Sequence, residues 1–392
     1  MKPIPSLQQM MTWLCLLPPD NYTSVWKKRA YIGFSVVLIL MQIITMIASV
    51  AFILKNRINN YEETLFAYCL VFYTLAKIYT ALVAFYVRHG ISIVVSNLTK
   101  IYDTDKDEDS FQFLERANDK CEWLLKFYFT RVFSIQWFFH LLTGIGSLLF
   151  CMYLDGELNR DHLYEPFHFV LPWNQTTPLG YCGQLSVTLL YFISYFTLNG
   201  AFFLIFISMC FHHEAFYEMF QHKLRKLNHP DENGNKKKLL CKIIQFQISI
   251  RNWFLYSSEV YAFVIMIELI HNMLGMAIMV FDVEMQAKHF NIDGIFFTTG
   301  LSICIGNLFL SCYFGKLASN SYEKMADCLY HDCNWIELPN DLKKSIILMI
   351  QMSQKPIFYH GFGIVELNLE TFTKFIKTTC SYYMILKTLN DE

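Results

Sequence analysis

The stretch from Leu369 to Leu389 reads LETFTKFIKTTCSYYMILKTL. It is long enough to cross a bilayer, for which about 20 residues suffice. Five threonines and the lysines Lys374, Lys377 and Lys387 nevertheless interrupt its Phe, Ile, Met and Tyr. A charge at bilayer depth costs at least about 2.5 kcal/mol on a helix that meets only lipid. Such a helix needs one face on water, and the chemistry it offers is ion passage rather than bond making. At about 3.6 residues per turn, Thr371, Lys374, Thr378, Tyr382, Ile385 and Leu389 share one stripe, with Ser381 and Thr388 beside it. Lys387 points nearly opposite Ile385, at the end of the helix, where its charge could repel cations.

Other chemistries find little footing. The 12 cysteines are scattered, with no repeated C-x-x-C and no histidine pair beside them, so no metal site is expected. Cys151 and Cys182 bracket one loop and could pair if it faces outside, although cysteines in apolar helices mostly serve as small core residues. His212 and His213 are adjacent, point to different helix faces and make poor joint ligands. The acidic run Asp103 to Asp109 lacks the glycine and terminal glutamate of a calcium-binding helix-loop-helix and reads as a solvated loop. No nucleophile–base set or phosphate loop is visible, so neither enzyme chemistry nor a cofactor is expected. A net charge of −1 gives no argument for nucleic acid.

The elements that must position these residues are membrane helices. Hydrophobic residues make up 54% of the chain and charged ones 17%, against about 25% charged in soluble proteins. Met1 to Leu17 lacks a small-residue cleavage site and ends at Pro18-Pro19, so the first span is expected to insert itself. Apolar stretches lie at about 31–54, 65–87, 132–154, 185–210, 253–281, 294–317 and 369–389. The fifth is long and should extend into the cytosol at its start. Segments 1–30, 88–131, 211–252 and 316–360 hold 24 of the 32 Lys and Arg residues. The positive-inside rule then puts the N-terminus in the cytosol and the C-terminus outside. That is inverted relative to G-protein-coupled receptors, and neither an acidic-Arg-aromatic triplet after the third span nor N-P-x-x-Y in the seventh is present.

This topology leaves one glycosylation sequon, Asn174-Gln175-Thr176, on the outer side, with those at Asn21 and Asn97 as chance matches. Lys236, Lys237 and Lys238 suit a cytosolic surface facing lipid headgroups. The stretch 318–365 alternates apolar and charged residues at helical spacing (Met325, Cys328, Leu329, then Ile346, Ile347, Met349 and Ile350) and reads as cytosolic anchor helices whose apolar faces need partners. Lys77, Glu259 and Glu268 lie within spans, where charges are functional candidates by default. A Lys77–Glu268 pair locking two helices is the favoured reading. The fold class expected is all-α: a six-helix bundle over 1–317, anchor helices over 318–365 and a pore-lining seventh helix over 366–392.

Several C-terminal sequences carry a resemblance. Gly315-Lys316, Ala326-Asp-Cys-Leu-Tyr330, Trp335, Met352-Ser-Gln-Lys-Pro356, Leu369-Glu-Thr-Phe372, Ser381-Tyr382-Tyr383 and Leu386-Lys387 resemble the C-terminal signature of insect odorant receptors. The first 300 residues match mainly in hydropathy. Gustatory receptors of the same superfamily end in Thr-Tyr, five apolar residues and Gln-Phe, and the Gln-Phe is absent here. The shared odorant co-receptor carries a large insertion before its fifth span, whereas loop 211–252 is short. The chain thus resembles a variable, odour-tuning subunit.

The resemblance implies a ligand-gated, non-selective cation channel, formed as a heterotetramer with co-receptor subunits in the plasma membrane of olfactory sensory dendrites and opened by a small volatile odorant. A gustatory-type homotetramer is the alternative; a secondary transporter would show internal repeats and broken half-helices, and neither is visible. By the same resemblance Ile385 and Leu389 match the pore gate and Thr388 a filter position where the co-receptor has Gln. The family places its odour pocket in the outer half of the bundle. This points to Phe72, Tyr73 and Ala76 on the second span, Thr143, Gly146 and Phe150 on the third, Tyr191, Tyr195 and Asn199 on the fourth, and Phe297 and Leu301 on the sixth. Gly146 either makes room for a ligand or, with Gly144, packs helices together.

Overall fold

A computed structural model describes residues 25–56, 61–104, 108–154, 163, 170–174, 177–228, 236–287 and 292–391. Helices dominate: α1 (Val25–Asn56), α2 (Tyr61–Thr104), α3 (Glu108–Phe127), α4 (Ser134–Leu154), α5 (Pro178–Lys226), α6 (Lys236–Ala287), α7 (Ile292–His331), α8 (Asn340–Ser353) and α9 (Leu369–Asp391). The seven expected spans fall in α1, α2, α4, α5, α6, α7 and α9.

Helix length decides the architecture. At about 1.5 Å per residue a bilayer core of about 30 Å takes about 20 residues. Helices α2, α5, α6 and α7 have 44, 49, 52 and 40 residues, so each continues well past the membrane as one rod. Their surplus lies on the Lys/Arg-rich cytosolic side. There the rods pack against α3 and α8, so the anchor is built from the ends of spanning helices as well as from residues after 317. Residue 317 itself falls inside the unbroken α7.

Sequence pattern explains each contact. Leu114, Ala117, Cys121 and Leu125 recur on one face of α3 and are buried, as helical periodicity requires. A π-helical turn, Tyr128–Phe133, joins α3 to α4 without a break. On the neighbouring rod, Thr177 caps α5 by accepting from the Gly180 N–H at 3.1 Å, with Pro178 in the first turn where its missing N–H costs nothing. The α5 C-terminus carries Lys223, Arg225 and Lys226, which suits the negative end of the helix dipole.

The cytosolic half of α6 is the central post. The Trp253 indole donates to the Val94 carbonyl of α2 at 2.9 Å. The Gln247 amide donates to Met349 O and Ser353 Oγ of α8, and Arg251 donates to the Tyr322 hydroxyl of α7 and to Met352 O. Towards the outer side, Gln42 of α1 donates to Ser194 of α5.

A short hairpin separates α8 from α9. His360–Gly361 pairs antiparallel with Val365–Glu366. Its turn places Phe362 and Gly363 at positive φ, 53° and 70°. Glycine accepts that backbone freely; phenylalanine does not. The Phe362 ring meets Phe263 of α6 edge-on.

Candidate functional site

Two features bear on function: the two faces of α9, and the polar groups enclosed between α5, α6 and α7. On α9, Phe372, Phe375 and Ile376 pack against the main core, and Thr379 is buried further along the same face. The opposite face is bare in the single chain: Lys374, Thr378, Ser381, Tyr382, Ile385 and Thr388 are exposed, Ile385 by 53%. The stripe expected from sequence therefore lies on the free face, except for Thr371. That residue is buried at the helix start, where its N–H donates to Asn368 Oδ1 at 2.8 Å as an N-cap. The Leu389 side chain lies outside the described residues. Thr388 bonds back to its own helix at Ile385 O, 2.9 Å.

Lys387 does not project onto the free face. Its ammonium donates to Glu284 Oε1 of α6 at 2.5 Å, and the Tyr383 hydroxyl donates to the other oxygen of that carboxylate. The carboxylate offsets the positive charge and holds the outer end of α9 against α6. Glu284 was not singled out in the sequence. Its signal there is a carboxylate three residues past the end of an apolar span, opposite a lysine at the matching end of another.

Among the candidate pocket residues, Tyr191, Tyr195 and Leu301 turn inward. The Tyr191 and Tyr195 rings stack with centroids 6.1 Å apart, and Leu301 and Tyr195 pack on the main core. Thr143 is half-buried and bonds back to the Phe139 carbonyl. Gly146 and Phe150 face out of the single chain, and a Cβ added at Gly146 would meet nothing within 4 Å. Gly144 is the packing glycine, because a Cβ there would meet the Leu185 side chain of α5 at 2.5 Å. The side chains of Phe72, Tyr73, Ala76, Asn199 and Phe297 lie outside the described residues, as does Lys77, the expected partner of Glu268. Glu268 stands 4.0 Å from His271 Nδ1 one turn along α6.

A cavity with about 580 Å³ of atom-free space, part of it open to the surface, lies between α5, α6 and α7. Apolar residues such as Phe202, Phe206 and Leu308 form most of its wall. Tyr261, Glu268, Asn272, Asn307 and Ser311 supply its polar groups, and Leu367, just before α9, closes one side. Of these, only Glu268 stood out in the sequence. Asn272 and Asn307 carry the same kind of signal, a polar side chain within an apolar span.

The outer loop is only partly described. Asn174 is exposed before α5, and its backbone carbonyl accepts from Thr177 Oγ1 at 3.0 Å. No disulfide joins Cys151 to Cys182, although their positions allowed one. Cys151 is buried with Leu163 and Tyr181, whereas Cys182, the residue after Tyr181, is exposed. Helical geometry turns successive side chains about 100° apart, which sends Cys182 away from Cys151.

Elsewhere, the two adjacent histidines are pins rather than ligands. His212 Nδ1 lies 3.1 Å from the Tyr102 hydroxyl of α2, and His213 Nε2 lies 3.1 Å from the Tyr359 hydroxyl. Burial lowers both rings from the usual 6.5, to about 4 for His212 and about 3 for His213. Among the described residues no group of His, Cys, Asp and Glu is placed to hold a metal ion.

Comparison with known proteins places this arrangement. The chain is similar in fold to the insect olfactory receptor OR5 from Machilis hrabei in complex with eugenol, with a TM-score of 0.74 over 98% of this chain and 97% of that one, at 12% identity. A second structure of the same receptor gives a TM-score of 0.69 over 97% and 95% of the two chains, also at 12% identity. In sequence the chain is 32% identical to Odorant receptor 2a of Drosophila melanogaster over 79 residues, 20% of each chain. It is 22% identical to Odorant receptor 33a of the same organism over 95 residues, 24% of this chain and 25% of that one. These alignments span only about a quarter or less of either relative. The family model described as 7tm Odorant receptor matches residues 60–380. The inverted seven-span bundle, the cytosolic anchor and the polar-studded last helix are thus those of a chain that belongs to the seven-transmembrane odorant receptor family.

Proposed function

We propose that this chain is the odour-tuning subunit of an odorant-gated, non-selective cation channel in the plasma membrane of olfactory sensory neurons, assembled as a heterotetramer with the shared co-receptor. The observation that carries the reading is the division of α9 into a packed face and a bare, polar-studded one. Lys374, Thr378, Ser381 and Thr388 cannot face hydrocarbon without cost. Several copies around a common axis would put that face on water, with Ile385 and Leu389 as gate and Thr388 beside them. Family membership supports the same assignment.

The outer-half residues form the odour pocket in this reading, and the complex of a fold relative with eugenol supports a small-molecule ligand. The stacked Tyr191–Tyr195 pair and Leu301 provide its described inner wall. Thr143, Phe72, Tyr73, Ala76, Asn199 and Phe297 complete it, whereas Gly146 and Phe150 face out of the single chain and lie outside it. Odorant binding there favours outward displacement of α9. The bundle over 1–317, the anchor over 318–365 and the pore helix over 366–392 are the functional divisions of this reading, with the cytosolic ends of α2, α5 and α6 packed into the anchor. Exposed Asn174 is the glycosylation site of this arrangement.

Expression in cells with and without the co-receptor, recording current under an odour panel, tests the reading. Odour-evoked cation current only in the co-expressing cells is the expected result. Robust current from this chain alone would favour a homotetrameric, gustatory-type channel. Coupled uptake without channel-like current would overturn the channel assignment.

A further inference from the structure

We infer that the cavity between α5, α6 and α7 is a second ligand site, for a small neutral molecule bearing one hydroxyl-like group, and that its occupancy biases the pore helix through Leu367. It lies on the cytosolic side of the outer pocket of the proposed function. Phe202 lies seven residues beyond Tyr195 along α5, and Leu308 seven beyond Leu301 along α7. At about 1.5 Å per residue that sets it about 10 Å nearer the cytosol.

The chemistry of the ligand follows from the wall. Asn272 is 8% exposed, lines the cavity, and no hydrogen bond among the described residues engages its amide. Leaving such a group unpaired costs about 1–3 kcal/mol, and a ligand in the cavity can supply the partner. Asn307 and Ser311 add neutral polar groups, while the remaining wall is mainly aromatic and aliphatic. Glu268 would repel an anion, and the apolar wall would tax a cation through lost hydration. A compact apolar body with one donor–acceptor group satisfies all of these.

The route to the pore is short. Leu367 lines the cavity and precedes Asn368, the residue that caps α9. Its own N–H donates to the Tyr359 carbonyl at 2.8 Å. On another side Gly315 of α7 approaches so closely that an added Cβ would meet Leu367 Cβ at 2.6 Å. The linker is held by α7 and Tyr359, and the cavity is where a ligand can press on it. This coupling rests on the channel reading; binding does not.

The test uses the purified full-length chain in phospholipid nanodiscs and three matched probes: benzyl alcohol, ethylbenzene and benzylamine. Ligand that binds only the folded state raises the unfolding midpoint. Benzyl alcohol should raise it more than either other probe. Asn272→Leu should fold with an equal or higher midpoint, because it removes an unpartnered amide, and should lose the preference for benzyl alcohol by about 3- to 10-fold in apparent affinity. Leu308→Trp, which fills the cavity, should abolish stabilisation by benzyl alcohol. An unchanged preference in Asn272→Leu, or no preference in the parent chain, would overturn the site, and a larger effect of benzylamine would overturn its neutral ligand. Because no current is recorded, failure here leaves the channel assignment standing, and a silent channel leaves this result standing. In co-expressing cells Leu308→Trp should also shift the odour dose–response; an unshifted response would overturn the link through Leu367.

Discussion

His212 and His213 are neighbours in sequence, yet one ring meets Tyr102 of α2 and the other Tyr359 beside the hairpin. Successive helical side chains diverge, so each ring reaches a partner of its own. Their actual partners, more than a hundred residues away in the chain, carry no local signal. Both rings are kept neutral by burial, with values depressed to about 4 and about 3. The folded state therefore binds fewer protons than the unfolded chain once pH drops below about 6.5. Their contribution is intact above that value and is lost progressively as pH falls towards 4. The thermal midpoint of the purified protein should accordingly decline between pH of about 7.5 and about 5. His213→Gln should be less stable overall, by about 1–3 kcal/mol for the disrupted Tyr359 contact, but with a shallower pH slope. An identical slope in both proteins would contradict the role of this ring.

Among the elements, α9 was largely legible: its polar residues recur on one stripe, and that stripe is the face left bare. Thr371 departs from it because capping by Asn368 draws the helix start into the core. The partner of Lys387 was not legible, since Glu284 lies about a hundred residues away on another helix. A lysine that looked able to repel cations is instead held against α6. In the proposed channel, Glu284→Gln should release it towards the outer mouth and reduce single-channel cation current in co-expressing cells. Lys387→Gln added to that variant should restore the current. A single variant with unchanged current would show that the pairing has no bearing on conduction. The hairpin at His360–Glu366 escaped the sequence reading as well, because two-residue strands leave no periodic pattern and the positive φ at Phe362 is not a glycine signal.

For the whole molecule, span number and orientation followed from hydropathy and from the 24 cytosolic Lys and Arg residues. Charge-poor windows mark where lipid is, but they are silent about where a helix ends. That is why the anchor was expected from 318 onwards, whereas α2, α5, α6 and α7 run into it without a break. Continuous rods with buried crossings such as Trp253 to Val94 and Gln247 to Ser353 make the cytosolic half one packed body. In the proposed channel, the bare face of α9 meets other subunits and water. Relative calcium-to-sodium permeability of the odour-evoked current, with Thr388→Asp and Thr388→Lys co-expressed with the co-receptor, tests that most directly. Calcium permeability should rise with the aspartate and fall with the lysine relative to the parent chain. Equal permeability ratios in all three, with odour-evoked currents of ordinary size, would contradict a pore lined by this face.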